Sequence, residues 1–408
     1  MTEMLTDTLQ EGALETDRLA HFDFKRHNEE VTWTWKAFNQ GKPTRAPIIF
    51  GIATRYHMMS RDANPKGVTF QEYMENPDVM FEMVLQFQRW NRFNILQDVE
   101  LGLPEKWSIV PDFQNFYETA WLGGKVEYLG DEVPDTHPPF EHDPERVMEN
   151  GIPDPFDGIM HKGLQYYNHF KARAARETYL GRPIEVVPPW FGIGTDGPMT
   201  VACNLFNPTT ACELILGEPE RMQKLFSFIT DATITRIKAW RKLTGVPIPQ
   251  DGFGYADDSV ALISADTYRE CVLPHHRRML DELATSKPRS IHLCGDSTRH
   301  FLILRDELNI NSFDTGFPID FGKMRKQLGP QVRMNGGPQI EFLRTANPAT
   351  VRAEVARIVK TGVLEGGLFV LREGNNLAPH TPYENTEAMY AAGRELANYE
   401  RNPELLNN

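Results

Sequence analysis

Arg289-Ser-Ile-His-Leu-Cys-Gly295 is a short apolar run that ends in polar groups. A helix-like stretch, Thr298 to Leu308, follows it, and then a second strand-like run, Ile310-Asn-Ser-Phe-Asp314. A strand, a helix and another strand in close succession make the repeating unit of a parallel sheet covered by helices. The same alternation extends in both directions. Downstream it gives helix at Phe321 to Leu328, strand at Gln331 to Gly336, helix at Pro348 to Thr361, strand at Gly367 to Leu371 and helix at Pro382 to Tyr399. Upstream it gives strand-like runs at Ile48 to Ala53, Phe93 to Val99, Pro183 to Val187 and the residues before Gly252. Helices are expected at Phe22 to Gln40, Pro77 to Arg92, His161 to Tyr179, Pro219 to Leu243 and Ala265 to Ser286. About eight strand–helix units favour an α/β fold of the (β/α)8 TIM-barrel type over an open sheet. No GxGxxG enters a helix, so a Rossmann dinucleotide site has no support.

Residues 1–40 read as an N-terminal extension, 41–400 as one barrel domain and 401–408 as a tail. Gly102 to about Asp157, rich in Pro, Asp and aromatics, reads as an irregular insertion serving as a lid or an interface. Disorder is expected only at the tips, Met1 to about Thr16 and Arg401 to Asn408.

Composition narrows the function. The chain has 408 residues, 43 Lys plus Arg against 56 Asp plus Glu, and a formal charge of −13. That acidity argues against a nucleic-acid partner. No unbroken apolar stretch is long enough to span a membrane, and the polar N-terminus is unlike a secretory signal. Four cysteines, Cys203, Cys212, Cys271 and Cys294, are too few for a disulfide scaffold. Reduced thiols and a cytoplasmic location are the expectation.

In a barrel the functional groups sit at the C-terminal ends of the strands. The expected strand ends carry Arg55, Tyr56 and His57; Gln97 and Asp98; Asp196; Asp257 and Asp258; His292 and Cys294; Asp314; Asn335; and Arg372, Glu373, Asn375 and Asn376. In an extended strand, residues i and i+2 share a face. His292 and Cys294 therefore present an imidazole and a thiol together, half of a Zn²⁺ site. The alternative for this pair is a buried Cys beside a hydrogen-bonded His. Asp98 and Asp257 are read as candidate general bases or ligand anchors, with helix capping as the alternative.

These phrases carry a resemblance. Ile291-His-Leu-Cys-Gly295, Asp320-Phe-Gly-Lys-Met-Arg-Lys-Gln-Leu-Gly329, Met334-Asn-Gly-Gly-Pro338 and Ala378-Pro-His-Thr-Pro-Tyr-Glu-Asn385 resemble the uroporphyrinogen decarboxylase superfamily. Arg45-Ala-Pro47 and Asn94-Ile-Leu-Gln-Asp98 fit it more loosely. The resemblance spans about Phe38 to the C-terminus and implies a single (β/α)8 barrel, with a homodimer as the expected assembly. Gly51 replaces the first of two carboxylate-gripping arginines of the decarboxylases and leaves Arg55. The key aspartate matches Asp98, but Asn204 and Asn375 fall where a Tyr and a His are expected. These changes argue against uroporphyrinogen decarboxylation.

The His-x-Cys phrase instead resembles the cobalamin-linked methyltransferases. There a further Cys in the last loop completes a zinc site. Here that position is Asn375, and no Cys follows Cys294. Glu373 is taken as the preferred third ligand, with Asp257, Asp258 or no metal as the alternatives. The resemblance implies a metal-assisted methyltransferase acting on a small O- or N-methylated compound. The methyl would pass to a thiol or to a corrinoid carried by a separate protein. Asp98, Asp257 and Arg55 are the catalytic candidates. Tyr56, His57, Asp196, Asn335, Asn375 and Asn376 are the substrate-binding candidates, and His292, Cys294 and Glu373 the metal candidates. A lyase or decarboxylase acting on a small acid gripped by Arg55 is the first alternative, and a non-catalytic ligand-binding barrel the second.

Overall fold

The structure is a computed structural model that describes residues 4–130 and 132–406. Its central feature is a five-stranded parallel sheet. We label the wall strands in chain order: β1 Trp107–Ile109, β2 Arg182–Val186, β3 Gly254–Ala256, β4 Arg289–Leu293, β5 Ile310–Thr315, β6 Arg333–Gly336 and β7 Phe369–Leu371. Strands β3 to β7 pair in sequence order, each parallel to the next. Helices separate them, as parallel pairing requires. β1 and β2 form a second parallel pair, extended by an antiparallel hairpin from Thr178–Tyr179.

Helix boundaries follow local chemistry. Asn76 caps the helix Pro77–Asn94 by accepting from Asp78 N, and Pro77 fills the first turn. The 26-residue helix Pro219–Thr244 also begins on Pro and stops at Gly245, whose φ of +76° is the left-handed cap geometry.

The expected first two strands differ in the structure. Ile48 makes an isolated parallel bridge to Leu371, so the first run joins the edge of β7 without a full ladder. Thr54–Met59, where the end of the first strand is expected, is helical. The run Phe93 to Val99 is not a strand. The helix continues through Phe93 and Asn94, and side chains then take the place of a ladder. Gln97 Oε1 accepts from Phe50 N at 2.9 Å, and Asp98 Oδ2 accepts from Ile48 N at 2.7 Å. The second wall strand is instead β1, inside the stretch read as an insertion. That stretch also sends Glu118 into the interior, so it is built into the fold. The helices Gly197–Phe206 and Pro208–Gly217 were hidden by a Gly-Pro start that reads as a turn.

The ends are more ordered than expected. Leu5 bridges Phe22, Asp23 N donates to Met4 O at 2.7 Å, and Pro403–Leu406 forms a 3-10 turn. Met1–Glu3 and Asn407–Asn408 lie outside the described residues. Among those residues, no helix is long and apolar enough to cross a membrane.

Candidate active site

The pairing register sorts the sheet into faces. Tyr255, Ile291, Phe313, Met334 and Phe369 are buried on the helix-packed face. The alternate residues face a cavity of about 630 Å³. They form two rows across the strands. Gly254, Ser290, Ser312 and Arg333 lie side by side, and two residues further on come Ala256, His292, Asp314 and Asn335. Trp190, Arg372 and Asn376 complete the upper part of this cavity.

His292 and Cys294 do converge. His292 Nε2 lies 3.2 Å from Cys294 Sγ and 3.8 Å from Asp258 Oδ1. One donor atom from each of Asp258, His292 and Cys294 falls within 4.8 Å of the others, the one such cluster among the described residues. A tetrahedral zinc with bonds of about 2.0–2.3 Å needs ligand atoms roughly 3.3–3.6 Å apart. The two distances from His292 Nε2 lie on either side of that spacing, so these donors could hold such an ion. His292 Nδ1 meets Asp314 Oδ2 at 2.8 Å, which orients Nε2 toward Cys294 and Asp258. Arg372 Nη1 donates to the same Asp314 oxygen at 2.9 Å. Burial opposes a charged imidazole, but Asp314 and Cys294 outweigh it and lift His292 to about 10. Burial and Asp258 push the Cys294 thiol up. Metal binding at these donors would displace their protons.

The third ligand differs from the preferred candidate. Alternation turns Arg372 into the cavity and Glu373 away from it. Glu373 is fully buried, accepts from Gly51 N at 2.7 Å and lies outside the donor cluster. Burial raises its carboxyl to about 7, and among the described residues Oε2 has no hydrogen-bond partner. A Cβ at Gly51 would crowd Arg372 Nη2 and lie 2.7 Å from Glu373 Oε1, so these side-chain ends would have to shift. Asn375 stands where the resemblance expects a Cys. Its Nδ2 donates to Cys294 Sγ at 3.1 Å.

The remaining candidates separate. Asn335 and Asn376 line the cavity. Asp196 sits on the loop before Gly197, its backbone N donating to Glu118 Oε2 at 2.8 Å. Burial, then the charges of Glu118, Asp258 and Asp257, push its carboxyl well up. Arg55 faces a smaller cavity of about 260 Å³ that shares Trp190 and Asn376 with the larger one. Tyr56 and His57 are core residues, both packed on Trp90, and Tyr56 OH donates to Thr381 O at 3.1 Å. Desolvation holds His57 down at about 4.

The structure does not bring Asp98 or Asp257 into the cavity. Asp98 is fully buried and fully used: Arg45 grips both oxygens, with Nη2 to Oδ1 at 2.8 Å, and Ile48 N and Tyr390 OH donate to it. Asp257 accepts from Thr200 N at 2.8 Å, Met199 N at 3.2 Å and His276 Nε2 at 2.7 Å, so it caps the helix Gly197–Phe206 from a neighbouring strand. Capping, the alternative reading, describes Asp257. Arg333 and Trp190 were not singled out from the sequence, although strand alternation from Asn335 already points to Arg333.

Comparison with known proteins gives the family. Residues 32–396 match the family model described as uroporphyrinogen decarboxylase (URO-D). The chain belongs to the uroporphyrinogen decarboxylase family. Among its relatives, a methylated-thiol–coenzyme M methyltransferase of Methanosarcina mazei is 28% identical over 48% of this chain and 51% of its own length. A methylcobamide:CoM methyltransferase of Methanosarcina barkeri is 25% identical over 50% of this chain and 57% of its own. The chain thus matches only about half the length of each. A uroporphyrinogen decarboxylase of Prochlorococcus marinus is 21% identical over 86% of this chain and 93% of its own. A solved methyltransferase structure from Methanosarcina mazei superposes with a TM-score of 0.59 at 19% identity, over 90% of this chain and 98% of that one. It has the same fold.

Proposed function

We propose that this protein is a metal-assisted methyltransferase. It takes a methyl group from a small O- or N-methylated compound and delivers it to a corrinoid on a separate protein or to a thiol. The observation that carries this is the Asp258–His292–Cys294 donor set, backed by Asp314, whose His292 lines the cavity. The methyltransferase relatives support the same chemistry. The proposed metal is zinc, with Asp258 as third ligand. When bound, zinc supplies Lewis-acid polarisation of the methylated heteroatom.

The chain's own residues do the rest. Asp314, itself held by Arg372, keeps His292 in the tautomer that presents Nε2. The Asn375 amide donates to Cys294 Sγ and shares its charge. Asn335 and Asn376 offer amides to the substrate. Asp196, whose carboxyl is pushed up by burial and the neighbouring acids, is the proposed proton source. In the reaction the methyl–heteroatom bond breaks, its electron pair stays on the heteroatom, and that atom takes the proton. The methyl leaves to the nucleophilic acceptor. A homodimer is the proposed assembly, and Arg45–Asp98 and Asp257–His276 are proposed as structural supports for the site.

The test is zinc analysis of the purified protein beside methyl transfer to reduced cobalamin from a panel of methoxylated and N-methylated compounds. Near-stoichiometric zinc and transfer are expected, both lost in His292→Ala. Clearly substoichiometric zinc, with a reaction profile unchanged in His292→Ala, overturns the proposal. The full-length similarity to a decarboxylase then favours a lyase that grips its substrate through Arg55.

A further inference from the structure

Of the proposed metal ligands, His292 lines the cavity. From His292 the cavity extends to the lower row, where Gly254, Ser290 and Ser312 leave space and Arg333 supplies a charge. Two arginines line this cavity, and they are used differently. Arg372 is committed: Nη1 donates to Asp314 and Nη2 to Asn375 O. Arg333 spends only its Nε, on Asn335 Oδ1 at 3.1 Å. Among the described residues its two terminal nitrogens have no hydrogen-bond or ion-pair partner. The guanidinium is also held in place, with its carbon 5.5 Å from the ring centroids of both Trp35 and Phe38. A fixed planar cation with its Nη1–Nη2 edge free on a cavity suits a carboxylate, because that fork matches both carboxylate oxygens.

We propose that Arg333 binds the anionic end of the substrate, so that the methyl donor is an O- or N-methylated organic acid lying along the strands. This rests on the methyltransferase reading for the methyl end only. Arg333 pairs with Ser312, whereas His292 pairs with Asp314 two residues further along the same strand, an offset of roughly 6–7 Å. The acid group then lies below and the methylated heteroatom above, at Asp258, His292 and Cys294. Asn335, beside Arg333 and one row up, sits between the two ends. Arg333 is thereby a specificity-determining residue and no part of the metal site.

The experiment compares three acids, methoxyacetate, 3-methoxypropionate and 4-methoxybenzoate, each against the alcohol that replaces its carboxylate. Binding to the full chain is measured by calorimetry, with and without added zinc. At least one acid is expected to bind about tenfold or more tighter than its alcohol. Arg333→Gln should abolish that preference, and Arg333→Lys should keep part of it. Zinc stoichiometry and the circular dichroism spectrum should be unchanged in both. Failure of all three acids to bind, equal affinities for acid and alcohol, or a preference that survives Arg333→Gln overturns the proposal. Because the preference is also read without zinc, absence of a metal site sinks the methyltransferase reading while leaving the Arg333 result legible.

Discussion

Asp257 and Asp258 are consecutive in the chain, yet their carboxylates serve opposite sides of one strand end. Asp257 turns outward to Thr200 N, Met199 N and His276. Asp258 turns inward, accepts from Cys294 N at 2.6 Å and stands 3.8 Å from His292 Nε2. The two should therefore fail differently. Asp258→Asn is expected to weaken zinc binding by tenfold or more with little change in melting temperature. Asp257→Asn should lower stability by about 1–3 kcal/mol and leave zinc bound per folded molecule unchanged. Competition against a chelator and thermal melting of both variants check this; a Asp258→Asn protein with undiminished affinity would remove it from the ligand set.

Asn375 offers the converse test. Its amide nitrogen is 3.1 Å from Cys294 Sγ, so a thiol placed there falls beside the other donors. Asn375→Cys should raise zinc affinity, because a second thiolate replaces a neutral amide. Unchanged or weaker retention of zinc against the same chelator would show that the metal does not sit among these side chains.

Asp314 touches His292, and Arg372 touches Asp314. Asp314→Asn keeps the shape but removes the charge behind the imidazole. A loss of 10–100-fold in zinc affinity is expected, with all three proposed ligands intact. If chelator titration instead matches wild type, His292 does not depend on this support.

Asp98 is expected to matter for folding. Asp98→Ala leaves Arg45 buried with half of its partners gone, a cost of about 3–5 kcal/mol. Urea unfolding should register that loss. A protein of unchanged stability but altered turnover would return Asp98 to the chemistry.

Three buried histidines set an acid limit. Desolvation holds His57, His275 and His300 down at about 4 each, below the ordinary value near 6.5. The folded form binds fewer protons than the unfolded chain between those values, so stability falls as pH drops from about 6.5 to 4. The loss is on the order of 2 kcal/mol per histidine. Denaturant midpoints across pH 4–7 measure it, and replacing His57 with Gln should flatten the slope. A midpoint independent of pH in that window contradicts the assignment.

Much of this was legible without coordinates, for physical reasons that also explain the misses. The parallel strands β4 to β7 fall on the expected runs, whereas β3 lies at Gly254–Ala256, after Gly252 and not before it; helices such as Pro77–Asn94 and Pro219–Thr244 carry their own start signals. His292 and Cys294 share a face by strand geometry alone. The same period of two separates Asp257 from Asp258, but only once the last strand residue, Ala256, is known. Glu373 was preferred over Asp258 because it lies near Asn375 in the chain. The choice depends on pairing register between strands, which is a non-local property. β1 escaped because three residues in a Pro-rich stretch carry no period, and Asp98 misled because a buried carboxylate looks the same whether it holds a substrate or the backbone.

Small residues at Gly254, Ser290 and Ser312 have a price elsewhere in the molecule. A barrel interior is ordinarily filled with branched aliphatic side chains that add to cohesion. Here the cavity-facing row is small and adds little of that kind, while the opposite face of the sheet and buried pairs such as Arg236 with Glu118 supply cohesion. Evolution toward thermal robustness would find its easiest gains by plugging the hollow, as with Ser312→Val, and each such gain would close the space a substrate needs. Relatives that have abandoned the chemistry should be recognisable by that plug.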